Sequence, residues 1–225
     1  NAFNFSVARK TRFATTKDRY SYRLGTAIPN PDLQTEYSVN YELGYTGSFI
    51  DKIRVQAAAF YSNIGNTIFS VNNVYFDAAR NVWQSQLQNV GKSEYLGAEA
   101  GVEYMVLASL KAGVNYTYVK RNNLTNANLK FTDVPEHKVF GFAQYQLHNR
   151  FTIQANTEYN SIRYSTTYGT KSGAFTFLNA SATVHVWRYF SVEAGVNNIA
   201  DRNYTLVEGF AEPGRNYFAN LIYRL

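Results

Sequence analysis

The sequence has no cysteine, one methionine, three histidines and four prolines in 225 residues. Without cysteine, neither a disulfide scaffold nor a thiolate zinc site can form. No stretch approaches the roughly 18 uncharged apolar residues that a membrane-spanning helix needs, so a helical membrane protein is excluded. The histidines are as thinly spread as they are few. His137 falls at a loop end, His148 in a short turn and His185 on a polar strand face, too far apart for a shared metal site or a catalytic triad. No cofactor is expected. Gly91-Lys92-Ser93 lacks the upstream glycine of a phosphate loop, where Gln86 stands, and a strand rather than a helix follows it. The amino end, Asn1 to Val7, has no charged n-region and no apolar h-region. It reads as a strand, and the expectation is that any targeting signal has been removed or lies upstream.

What is present points one way. Hydrophobic residues make up 45% of the chain and aromatic residues 16%, with 19 Tyr and 16 Phe, which excludes disorder. Abundant aromatic, Asn, Ser, Thr and Gly residues with few helix formers are the composition of an all-β protein. The net charge of +6 reads first as a mildly basic solvated surface. Nucleic-acid binding would need a basic face interleaved with exposed stacking aromatics, whereas here the aromatics lie within strands.

Side chains alternate between apolar and polar in about ten successive segments. Because strand side chains point to opposite faces in turn, one face is read by skipping every second residue. Tyr37, Val39, Tyr41, Leu43 and Tyr45 oppose Ser38, Asn40, Glu42, Gly44 and Thr46. Leu96, Ala98, Ala100, Val102 and Tyr104 oppose Gly97, Glu99, Gly101 and Glu103. Further series run through Phe3, Ile53, Leu110, Val139, Phe151, Leu178, Val192 and Tyr217. The apolar face carries no charge; the other carries Glu42, Arg54, Glu99, Glu103, Lys111, Lys138, Glu158, Glu193 and Arg224.

A soluble sheet also alternates. Two features favour a membrane barrel. The predicted strands run about 10–13 residues, where soluble strands average about 5–6 and tilted membrane strands need about 9–11. The apolar face also has small or aliphatic residues in mid-strand (Ala98, Ala100, Val102; Ala180, Ala182, Val184) and aromatics at its ends (Tyr45, Tyr104, Tyr116, Tyr145, Phe151, Tyr159, Tyr223). An apolar band between two aromatic girdles is the outer-membrane barrel pattern. Short turns at Gly47–Lys52, Met105–Ser109, Leu147–Arg150 and Trp187–Phe190 alternate with long polar loops at Lys10–Thr35, Asn66–Ser85, Arg121–Glu136, Ser165–Gly173 and Ala200–Gly214. This is the alternation of periplasmic turns and extracellular loops.

Four stretches then resemble the C-terminal third of TonB-dependent outer-membrane transporters. Thr11-Arg12-Phe13-Ala14-Thr15 with Asp18-Arg19-Tyr20-Ser21-Tyr22 is similar to the family's TRFPT…RYSY loop, Ala14 replacing proline. Asn30-Pro31-Asp32-Leu33-Gln34-Thr35-Glu36, then Tyr41-Glu42-Leu43-Gly44-Tyr45, is similar to NPxLxPE…YELGY, departing at Thr35. Asn89-Val90-Gly91 followed by Gly97-Ala98-Glu99 resembles the NxG…GxE strand. Val196 to Tyr204, then Pro213-Gly214-Arg215, resembles NLfDkxY…PGR before the last strand.

The resemblance implies an all-β antiparallel transmembrane barrel of 22 strands with a lumen-filling plug. About ten of those strands, and no plug, lie in this chain. Residues 1–225 are read as the C-terminal portion of a single barrel domain, completed by further polypeptide. It implies an energy-coupled receptor in the bacterial outer membrane that takes up a scarce chelate: a ferric siderophore, haem, cobalamin or another metal complex. It implies no enzymatic step. The implied partners are outer-membrane lipid and lipopolysaccharide, the rest of the barrel and plug, a TonB-type periplasmic energy transducer acting through the plug, and the barrel-assembly machinery. The terminal series Tyr217, Ala219, Leu221, Tyr223 and Leu225 resembles the assembly signal, with Leu225 in place of the commoner Phe; it reads equally as a lipid-facing last strand.

Candidate ligand contacts are Arg12, Tyr20, Tyr22, Tyr164, Tyr168 and Tyr204, since tyrosine gives apolar area plus a hydroxyl. Packing within girdle or loop is the competing role for each. Basic residues gather toward the long loops (Arg9, Lys10, Lys120, Arg121, Lys130, Arg163, Lys171 among them), where they face solvent, lipopolysaccharide phosphates or an anionic ligand. The alternatives are a self-contained ten-stranded adhesin or protease, for which the rim offers only His137, and a passive pore, which would need an open lumen.

Overall fold

The computed structural model describes residues 1–207 and 209–224. Ten strands form one antiparallel sheet in which every strand pairs with its neighbour in sequence. They are β1 (Ala2–Arg12), β2 (Glu36–Phe49), β3 (Ile53–Gly65), β4 (Ser93–Leu107), β5 (Leu110–Asn123), β6 (His137–Leu147), β7 (Phe151–Asn160), β8 (Phe175–Trp187), β9 (Phe190–Asn197) and β10 (Asn216–Tyr223). The longest, β4, has 15 residues; β9 and β10 have 8 each, so lengths spread more widely than the alternation predicts.

The register keeps the apolar series on one face from edge to edge, as cross-strand pairing requires. Tyr45 pairs with Ala57, Ala57 with Ala100 and Ala100 with Tyr116. Ala112 pairs with Ala143, Ala143 with Ala155 and Ala155 with Ala180. Val192 pairs with Leu221. At the turn end aromatic rings of neighbouring strands touch at both edges of the sheet: Phe3 packs on Tyr45 with centroids 4.8 Å apart, and Phe190 on Tyr223 at 5.0 Å. Tyr116, expected at the end of the apolar band, instead lies at mid-strand beside Ala100. At the loop end Tyr61 donates to Glu94 Oε2 at 3.2 Å, and Glu94 Oε1 accepts from Asn122. The apolar band therefore ends on a polar row.

The opposite face is charged and hydrogen-bonded. Lys111 pairs with Glu103 at 2.8 Å and Lys138 with Glu158 at 3.1 Å. Asn220 donates to Glu193, and His185 shares a 2.7 Å hydrogen bond with Ser191. Arg54 shares this face. It lies opposite Glu103 in register, but the ion pair of Glu103 is with Lys111. The small residues of this face are also covered: Phe60 lies opposite Gly97, Phe142 opposite Gly113 and Phe218 opposite Gly195.

Four short turns, 50–52, 108–109, 148–150 and 188–189, sit at one end. The first carries left-handed Ile50 and Asp51, and the third left-handed His148. Five longer connections sit at the other end, and they hold structure of their own. Residues 66–92 contain a hairpin, Ile68–Asp77 with Val82–Asn89, to which Ala27–Ile28 adds a parallel strand. Thr15 caps a one-turn helix, Thr16–Tyr20, in a capping box with Asp18. Of the buried apolar residues, Ala27, Leu33, Ile68 and Phe131 belong to this loop tier, and Ile64 and Phe175 stand at the loop ends of β3 and β8. Among the described residues the sheet has no second layer, so the core gathers where the loops meet the strand ends.

Candidate functional site

The loop tier is one connected layer. Asn72 and Thr167 exchange backbone-to-side-chain bonds at 3.1 and 3.2 Å across 95 residues of sequence. Lys130 N–H donates to Thr167 O at 2.8 Å, and Asp133 N–H to Tyr164 O at 2.9 Å. Gln84 reaches Gly25 O at 2.7 Å and Asn30 reaches Leu87 O at 2.9 Å, tying the first loop to the hairpin. Phe131 stands edge-on to Phe69 and to Tyr95. Burial of these few rings and bonds between loops fixes a surface that no single loop would hold.

The sequence-predicted contacts fall into two groups within it. Arg12 ends β1 at 4.0 Å from Asp18, while Tyr20 and Tyr22 stand exposed beside the capped helix. Asp18 accepts the Thr15 amide at 3.0 Å; that backbone bond, with the Thr15 hydroxyl and the Arg12 and Lys17 charges, holds its carboxyl below the usual range against a smaller opposing effect of burial. The second group gathers around residues 161–174. Tyr168 is exposed at the tip. Tyr164 lies between the Lys171 and Lys130 ammonium groups, 5.2 and 5.8 Å from its ring. Tyr204 packs on Phe175 at 4.5 Å and Phe177 at 5.4 Å, and burial, then the Glu212 and Glu158 charges, push its hydroxyl above its ordinary pKa. For Tyr204 the packing role is therefore realised.

The sequence reading did not single out Arg163 as a contact. It is 4% exposed, and its guanidinium lies 5.2 Å from the Phe175 ring. Its Nε donates to Leu206 O at 3.1 Å and its Nη2 to Thr205 O. Burial lowers its pKa, and the Asp133 charge opposes this. Its place among the basic loop residues and its adjacency to Tyr164 were the signals in the sequence; its burial was not legible, because the carbonyls it donates to lie 42 and 43 residues away.

Two hollows follow from this arrangement. A cleft of about 780 Å³ lies between residues 119–137 and 159–174 and includes Arg121, Lys130, Arg163, Tyr164 and Lys171. A shallower one of about 400 Å³ lies on the polar sheet face and includes Glu42, Gln56, Glu99 and Asn115. Among the described residues no group of three or more His, Asp or Glu side chains is placed to hold a metal ion.

The geometry has counterparts among known proteins. A family model described as TonB dependent receptor-like, beta-barrel, matches residues 2–199. The chain is 26% identical over 211 residues to the iron-regulated outer membrane virulence protein of Vibrio cholerae serotype O1, Classical Ogawa strain, covering 88% of this chain and 32% of that protein. The same protein of the El Tor Inaba strain is 25% identical over the same share. The chain thus spans about a third of the curated relatives it matches. Among solved structures, the copper transporter OprC superposes with a TM-score of 0.84 at 16% identity, over 98% of this chain and 37% of that one. The siderophore receptor PirA from Pseudomonas aeruginosa gives 0.71 at 21% identity, over 98% and 36%.

Proposed function

Because the chain belongs to the TonB-dependent receptor-like β-barrel family and so sits in the bacterial outer membrane, we propose that the protein carrying it is an energy-coupled uptake receptor for a scarce metal chelate. The single observation that supports this most is the pairing of one apolar sheet face that runs across all ten strands with a loop tier bonded into one surface at one end. The first suits lipid and the second suits capture of a solute. Residues 1–225 form the C-terminal part of one barrel domain in this reading. Further strands close the wall into a ring of 22, and a plug seats against its polar face, where the Glu42 and Glu99 carboxylates offer charge to basic groups.

Ligand capture falls to the loop tier. Tyr20, Tyr22 and Tyr168 offer exposed rings, Arg12 and Tyr164 offer cationic and aromatic edges, and Tyr204 packs on Phe175 and Phe177. No bond is made or broken: the work is binding, then movement of the plug drawn by a TonB-type transducer from the periplasmic side. The cargo class is a ferric siderophore, haem, cobalamin or another metal complex. Outward Tyr217, Ala219, Leu221 and Tyr223 fit both lipid contact and a signal to the barrel-assembly machinery; Leu225, the fifth residue of that series, lies outside the described residues. The test is growth and radiolabelled uptake in a deletion strain under iron, cobalamin or copper limitation. Uptake that requires both the gene and an energised inner membrane supports the reading. Equal uptake with and without the gene for every cargo overturns it.

A further inference from the structure

We propose that the cleft between residues 119–137 and 159–174 is a binding site for a phosphate-type oxyanion. Four cationic side chains line it, Arg121, Lys130, Arg163 and Lys171, against the single carboxylate of Glu136. None of the four enters an ion pair among the described residues. Arg163 is the central observation. It is more than nine-tenths buried, its Nε and Nη2 are spent on two backbone carbonyls, and its Nη1 is buried with no partner among the described residues. A buried charged donor left unpaired is costly, and the residue that carries it lines the cleft.

The chemistry of the lining narrows the acceptor. A planar guanidinium with N–H groups to spare, flanked by lysine point charges, suits a tetrahedral oxyanion carrying more than one negative charge. The volume of about 780 Å³ exceeds what a bare phosphate fills, and Leu129, Ile162 and Ala174 add apolar wall. The group therefore arrives on a larger, partly apolar body. The cleft exists because β5 runs on to Asn123 while its pairing with β6 stops at Tyr118 and His137. Its lining in consequence includes Tyr159 and His137 from the apolar face and Arg121 from the polar face. A lipid headgroup could enter from the first side and a free phosphorylated solute from the loops.

The test uses the intact natural polypeptide, purified in detergent and stripped of lipopolysaccharide, titrated calorimetrically with inorganic pyrophosphate. Saturable binding is expected. Lys130→Gln combined with Lys171→Gln, both outside the buried core, should weaken it at least tenfold. Arg163→Lys keeps the charge but removes the fork, and should weaken it similarly; if that variant fails to fold, the lysine pair decides. Competition with lipopolysaccharide, its phosphates intact or enzymatically removed, separates the sources. Displacement by the phosphorylated form alone assigns a headgroup, and no displacement assigns a free solute. No saturable binding of either probe, or unchanged affinity in the lysine-pair variant, overturns the proposal. The site does not depend on the uptake reading: binding retained in a protein that carries no chelate would sink that reading and leave this one standing.

Discussion

The ring of Phe142 occupies the space that a side chain on Gly113 would take. A Cβ at residue 113 would lie 2.6 Å from Phe142 Cε1 and 3.0 Å from the Val102 carbonyl oxygen. Lys111 caps the same ring at 5.5 Å. An aromatic over a cross-strand glycine is one way a sheet pins its register. Gly113→Val should push the ring off and lose about 1–3 kcal/mol by overpacking. Urea unfolding of the barrel in detergent measures it, and Gly141→Ala, where the nearest atom is Thr157 Cγ2 at 3.5 Å, is the milder control.

Ala100 sits at mid-strand on the apolar face, between Ala57 and Tyr116. Ala100→Arg should cost about 2–4 kcal/mol if that face meets acyl chains at the bilayer midplane. Folding into lipid vesicles with and without the substitution gives the number. Equal stability would show that the face is not in lipid.

The first loop should answer to acid through Asp18. Its carboxyl is held below the ordinary value by the Thr15 backbone bond first. A lowered pKa contributes order that is complete above the ordinary carboxylate value and is lost as pH falls through the lowered one. The Thr15 amide shift in NMR should follow that titration, and Asp18→Asn should abolish it. Thr15→Ala should loosen the same turn by about 0.5–2 kcal/mol through loss of the cap.

Tyr168 and Tyr204 should part company. Tyr168 is 61% exposed, so Tyr168→Ala should reduce ligand affinity without moving the unfolding midpoint. Tyr204 is packed on Phe175 and Phe177, so Tyr204→Ala should lower stability as well. Parallel binding and denaturation curves distinguish the two.

Asn72→Ala should release the hairpin from residues 161–174, because it removes the side-chain acceptor for the Thr167 amide. Faster proteolysis at Asp77–Val82, with the ten-stranded sheet intact by circular dichroism, is the expected outcome.

The wall was legible in the sequence because its physics has a short period. Ala57, Ala100 and Tyr116 are far apart in the chain, yet each announces its face through the residues two places away, and the register confirms it. Some loop ends of the strands were legible for the same reason, from where the alternation stops; others were not, as β4 begins only at Ser93, β5 runs on to Asn123 and β7 ends at Asn160. The tier above was not. Asn72 with Thr167, or Gln84 with Gly25, are single polar bonds between distant loops, and polar loop residues carry no periodicity to mark them. The sequence reads Asn66–Ser85 as plain loop and so misses the hairpin, because its Val82–Asn89 strand mixes Trp83 and Leu87 with glutamines and a serine. Arg163 looked like any basic loop residue; its burial depends on Phe175 and on the carbonyls of Thr205 and Leu206.

Neither Ala2–Arg12 nor Asn216–Tyr223 has a second neighbour among the described residues. Each therefore presents a line of unmatched amides and carbonyls along one margin. Hydrocarbon offers nothing to satisfy such groups, at several kcal/mol apiece. The two margins are thus a demand for adjoining strands: this wall can be immersed in oil only as an arc of a closed ring.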